Sequence, residues 1–91
     1  MTKLIVIIQG KANVIQHIVR AGQFPEGKGV GKDGLMFEGK IFDSCYKCVF
    51  SGDEAIIDKN YEEMYKIYNT VRTKVSLKLA GVSLSFEKED D

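Results

Sequence analysis

The spacing of apolar positions changes several times along the chain, and each change marks an element. Leu4 to Ile8 are five consecutive aliphatic residues, most of them β-branched. Such a run reads as a strand covered on both faces and central in its sheet. Gly10 and Lys11 turn the chain, and Asn13 stands where an N-cap fits. From Ala12 to Ala21 the period becomes helical. Val14, Ile15, Ile18 and Val19 make one stripe, and Asn13, Gln16, His17 and Arg20 the other. Gly22 fits the left-handed position that ends a helix.

Two strands come next in the pattern, Leu35 to Phe42 and Cys45 to Phe50, with Asp43-Ser44 turning between them as a hairpin. Phe37 and Ile41 share one face, Met36 and Phe42 the other. Gly39 marks a bulge or a close backbone approach. Glu54 to Ile57 is read as a third short strand, although Ser51 and Glu54 also fit a capping box for a helix. Lys59 to about Thr73 is the main helix, with Tyr61, Met64, Tyr65, Tyr68 and Val71 as its apolar stripe.

Val75, Leu77 and Leu79 then alternate as in a half-buried strand. The phase slips at Ala80-Gly81, and Val82, Leu84 and Phe86 alternate in the other register. A hairpin or one bulged strand accounts for this. A competing reading extends the helix to Ala80, but the β-branched and hydroxyl residues from Thr70 to Ser76 count against it. Glu87 to Asp91 reads as a frayed acidic tail.

The predicted fold class is α+β: a small, mostly antiparallel sheet with two helices on one face. The nearest named architecture is ferredoxin-like, βαββαβ, or a variant with an extra strand or a C-terminal hairpin. One stretch lies outside this alternation. Gly22 to Gly34 holds the only proline, Pro25, five of the nine glycines, and Lys28 and Lys32. It reads as a long mobile loop, of the size that is usually functional.

The 91 residues make one domain, 1–91. A 44% apolar and 29% charged composition is that of a globular chain. Formal net charge is zero but unevenly spread: before Cys48 there are seven basic residues against four acids, and from Cys48 onward six against nine. This predicts a basic face and an acidic face. The apolar run at the start is too short for a signal peptide, and no stretch approaches a membrane span, so a soluble, cytoplasmic protein is expected.

Several chemistries fail on spacing. Cys45 and Cys48 form a single C-x-x-C, and His17 is the only histidine, so a four-ligand zinc site is not expected. On a strand their Cα atoms lie about 10 Å apart and their side chains on opposite faces, beyond disulfide reach. Asp53, Glu54, Asp58, Glu62 and Glu63 match no calcium-loop spacing. A P-loop through Gly31-Lys32 needs Gly at 26 and Ser or Thr at 33, where Glu26 and Asp33 stand. Gly29, Gly31 and Gly34 match G-x-G-x-x-G in form, but no helix opens after them. No catalytic residue, metal or cofactor is assigned.

The segments VIIQGKANVIQHIVRAG and VFSGDEAIIDKNYEEMYKIYN resemble parts of acylphosphatases, which are βαββαβ domains of similar length. In that family the loop after the first strand supplies a phosphate-holding arginine, and a later strand an asparagine for the attacking water. Residues 10–13 contain no arginine, and no asparagine occurs between Asn13 and Asn60. The resemblance supports the fold and argues against that activity.

The expectation is a non-enzymatic binding or regulatory module, of the kind that inhibitors and ligand-binding proteins from mobile elements represent. Its partner would be a protein or a small anionic ligand. Lys11, Asn13, His17 and Arg20 on and before the first helix, with Lys28 and Lys32 of the glycine-rich loop, would form one polar and basic patch. Arg20 suits a bidentate grip on phosphate, and flexible glycines can present N–H groups to an anion. Two alternatives stand beside it. One is a phosphate-substrate hydrolase using Lys11, His17, Lys28 and Lys32. The other is an RNA-binding module with Phe37, Tyr46 and Phe50 stacking on bases from an exposed sheet face. Open sheet edges also predict a homo-oligomer.

Overall fold

A computed structural model describes residues 2–22 and 24–90. The chain runs β1 (Thr2–Gln9), α1 (Ala12–Ala21), β2 (Gly27–Val30), β3 (Met36–Phe42), β4 (Cys45–Gly52), α2 (Glu54–Tyr68), α3 (Val71–Leu79) and β5 (Ser83–Asp90). The five strands form one sheet in the order β2-β3-β4-β1-β5. Every neighbouring pair is antiparallel. The architecture is α+β, and its order differs from a plain βαββαβ by the edge strand β2 and the third helix.

β1 is an interior strand, between β4 and the edge strand β5, and only one of its faces is fully covered. Leu4, Val6 and Ile8 are buried against Ile15 and Val19 of α1 and Ile57 of α2, together with Tyr46 and Cys48 of β4. Ile5 and Ile7 point to the other face, where they are half-buried by neighbouring strands alone. The consecutive aliphatic run therefore reflects position within the sheet, not a second layer.

Several predicted features are corrected. Gly22 to Gly34 is not one long mobile loop: Phe24 is buried, Gly27–Val30 pairs with β3, and a turn at 31–35 closes the hairpin, while Gln23 lies outside the described residues. Gly22 has φ −81°, so no left-handed turn ends α1. Its lack of a side chain instead makes room for Phe24, whose ring would lie 2.8 Å from an added Cβ. Nor does Asn13 cap α1, because the helix begins at Ala12, two residues earlier than that cap would set it, and Lys11 occupies the cap position.

Glu54 to Ile57 is the first turn of α2. The Asp53 carboxylate caps it by accepting from the Ala55 N–H at 2.8 Å. The adjacent pair Ile56 and Ile57 then packs on the sheet from a helix rather than alternating across a strand. The main helix ends at Tyr68, and Val75 to Leu79 is the body of α3. Thr70 accounts for the break: it caps α3 by accepting from the Thr73 N–H, and Thr73 donates to the Ile67 carbonyl. Hydroxyl residues that disfavour a helix interior here serve its start. Gly81, at φ +72°, turns the chain out of α3.

The acidic tail is part of β5, paired with β1 as far as Thr2 opposite Asp90. A ladder of main-chain bonds does not require apolar side chains on an edge strand. Lys88 reaches Asp58 of α2 at 2.8 Å and lies 5.2 Å from the Tyr61 ring centre. Asp91 lies outside the described residues. Both sheet edges carry features that discourage pairing with another sheet: β2 has four residues, and β5 ends in Glu87-Lys88-Glu89-Asp90. Among the described residues no helix is long and apolar enough to cross a membrane.

Candidate functional site: the open face of the sheet

All three helices follow connections that leave one sheet face uncovered, and the register states which side chains stand on it. On β4 these are Cys45, Lys47, Val49 and Ser51, opposite Gln9, Ile7, Ile5 and Lys3 of β1. On β3 they are Met36, Glu38, Lys40 and Phe42. On β2 they are Lys28 and Val30, opposite Glu38 and Met36. The β5 residues on this face are Ser83, Ser85, Glu87 and Glu89.

The charge asymmetry of the sequence appears here as a gradient within one face. Lys28, Lys40 and Lys47 gather on β2, β3 and β4, with Glu38 as the acid among them. Glu87 and Glu89 lie on β5, on the far side of β1. Lys40 and Lys47 are direct cross-strand partners. Like charges in that position are destabilising. Lys40 lies 3.8 Å from Glu38, a solvent-exposed pair that offsets little of this. Beside the lysines stand large exposed apolar groups: Phe42 is 57% exposed and Val30 68%. Glu38, Lys40, Phe42, Lys47 and Val49 line a shallow depression of about 280 Å³.

The residues expected to form one patch are divided among three places. Lys28 is on the open face, and α1 is packed on the opposite one. Lys11 follows the Gln9 end of β1, and Lys32 lies in the β2–β3 turn near the Thr2 end. The eight residues of β1 separate those ends by roughly 20 Å. Asn13, His17 and Arg20 are exposed on α1. Arg20 and Gln16 line a cleft with Glu26 and Asp43, so its setting is mixed in charge rather than basic. The four residues named for a hydrolase, Lys11, His17, Lys28 and Lys32, do not converge.

The glycine-rich turn also spends its N–H groups internally. Gly31 N–H donates to the Leu35 carbonyl, Gly34 N–H to the Gly31 carbonyl, and Leu35 N–H to the Asp33 carboxylate. Asp33 accepts a further bond from the Asn60 side chain at 3.0 Å, which ties the turn to α2. Phe37, Tyr46 and Phe50 belong to the helix-covered core and not to the open face. Burial pushes the Tyr46 phenol and the Cys48 thiol up, which keeps both neutral. Among the described residues no group of three or more His, Cys, Asp or Glu side chains is placed to hold a metal ion.

Sequence reasoning passed over Lys40, Lys47 and Phe42, although the signal was present. A two-residue turn at Asp43-Ser44 sets Phe42 opposite Cys45 and Lys40 opposite Lys47. The alternation of β3 puts Lys40 and Phe42 on the face that Phe37 and Ile41 leave. No protein-family model, curated protein or solved structure matches this chain.

Proposed function

We propose that the protein is a non-enzymatic cytoplasmic binding module that engages an acidic protein surface through the open face of its sheet. The observation that carries this reading is the Lys40–Lys47 opposition beside exposed Phe42. A like-charged cross-strand pair costs stability in the free protein, and an anionic partner removes that cost. The apolar groups around it supply area to bury, and the lysines supply steering and register. Among the described residues Phe42 is the single aromatic on this face, whereas RNA-binding sheets stack two or three bases on aromatics of the central strands. An acidic polypeptide fits better than a nucleic acid.

The architecture is consistent with a ferredoxin-like variant in this reading. Without β2, and with α2 and α3 taken as one helical connection, the strand order becomes β3-β4-β1-β5. Homo-oligomerisation is retained with a different contact: Val71, Val75 and Leu79 lie on one exposed stripe of α3, in place of the guarded sheet edges. Light scattering of the wild type against Leu79→Lys checks this, and an unchanged mass removes it.

Titration with poly-L-glutamate, and in parallel with a single-stranded oligonucleotide, tests the binding surface. Salt-sensitive binding of the polypeptide, weakened in Lys40→Ala/Lys47→Ala with no loss of thermal stability, is the expected result. Undiminished binding by that double variant overturns the open face as the site. Preferential binding of the oligonucleotide overturns the assignment of an acidic protein partner.

A further inference from the structure

On the helix side, α2, α3 and β5 line a groove of about 440 Å³ that shares no residue with the Lys40–Lys47 depression of the open face. Ligand pockets for drug-sized molecules fall in the range of about 300 to 1,000 Å³. Its walls are aromatic. Tyr61 and Tyr65 stack with ring centres 6.2 Å apart. Tyr68 packs against Phe86 at 5.8 Å and also against Phe24 at 5.8 Å. Burial raises the Tyr68 phenol, so its ring belongs to the dry part of the groove.

The charged lining has one sign. Lys74 and Lys78 stand one turn apart on α3, and among the described residues no Asp or Glu lines the groove. In a chain with equal numbers of acidic and basic residues, that is a local departure. Among the described residues neither lysine makes an ion pair. α3 itself has no buried side chain. It is held by Leu77, whose carbonyl accepts from the Val82 N–H, and by the Thr70–Thr73 cap. A wall anchored this lightly adjusts around a guest at small cost.

We propose that this groove binds a small organic anion with a flat aromatic body. The body lies among Tyr65, Tyr68 and Phe86, and the anionic group meets Lys74 and Lys78. The aromatic walls favour a π-faced guest, and the unopposed cations favour a carboxylate or phosphate on it. The site is independent of the open face and of the partner proposed there.

The probe is 1-anilinonaphthalene-8-sulfonate, with its neutral analogue N-phenyl-1-naphthylamine, added to the folded full-length protein. The expected result is saturable fluorescence from the sulfonate, weakened about tenfold in Lys74→Ala/Lys78→Ala while the neutral analogue is unaffected. Both lysines are exposed, so the variant keeps its fold, which its thermal melt verifies. Lys40→Ala/Lys47→Ala leaves sulfonate binding unchanged. Competition by 1-naphthoate or by 1-naphthyl phosphate supports the site and assigns the anionic group. Sulfonate binding that survives loss of Lys74 and Lys78, or that depends on Lys40 and Lys47, overturns the proposal. Failure of both competitors overturns it as well.

Discussion

The Tyr46 hydroxyl donates a 2.6 Å hydrogen bond to the carbonyl of Pro25. Tyr46 is fully buried on β4, and Pro25 belongs to the segment that leads into β2. The bond spans β3, where Gly39 lies between the two partners. It fixes the glycine-rich segment against the sheet and orders Lys28 on the open face.

Tyr46→Phe keeps the ring and removes the donor, leaving the Pro25 carbonyl without its partner. The expected loss is about 1–3 kcal/mol in denaturant unfolding. Hydrogen exchange in Gly27–Val30 should quicken more than in β1. An unchanged midpoint would show that water replaces the bond freely.

Stability should also fall at high pH. Burial raises Tyr46 from its ordinary 10.0, Cys48 from 9.0 and Tyr68 from 10.0. These groups stay neutral in the folded chain while the unfolded chain releases their protons, so the unfolded state binds fewer protons and is favoured as pH rises. Their contribution is complete below about pH 9 and declines as the pH rises above that value. Thermal melts from neutral to alkaline pH should show this decline, with a shallower slope in Tyr46→Phe.

Gly39→Ala should be severe for so small a change. An added Cβ meets the Pro25 carbonyl oxygen and lies 3.0 Å from the Tyr46 oxygen. Neither is the free end of a flexible chain. Overpacking of this kind costs roughly 1–3 kcal/mol, and here it also breaks the Tyr46–Pro25 bond. A melting temperature within a degree of wild type would contradict the close approach.

Lys47→Glu replaces a like-charged cross-strand pair with an opposite one. Stability should rise by about 0.2–1 kcal/mol, read from urea midpoints at low salt, and the gain should shrink as salt is added. The same variant should lose poly-L-glutamate binding. A gain in stability with full binding would separate the lysine pair from function.

Deleting residues 87–91 removes half of β5 and the Lys88–Asp58 ion pair. A frayed tail would be lost without consequence. The pairing with β1 predicts instead a cost of at least ~2 kcal/mol, since several ladder bonds go and β1 becomes an exposed edge. Circular dichroism melts of the truncated and full chains decide between the two.

Period and turn chemistry in the sequence determined much of this protein. The aliphatic run placed β1 inside the sheet rather than at an edge, the helical stripe placed Ile15 and Val19 of α1 in the core, and Asp43-Ser44 placed the β3–β4 hairpin. These rest on interactions between residues near in sequence, or on a burial pattern that one element carries alone. The tertiary structure decided the rest. Gly27–Val30 has no apolar alternation, and it became a strand because Tyr46 and Gly39 hold Pro25 against the sheet. Val75 to Leu79 alternates like a strand, yet it is helical because Thr70 caps it and Val82 closes its end. The candidate site divides in the same way. Exposure of Lys28, Arg20 and His17 was legible in their polar stripes and loop. Which of them share a surface was not, because α1 and the open face lie on opposite sides of one sheet, and only the assembled register brings Lys28, Lys40 and Lys47 together.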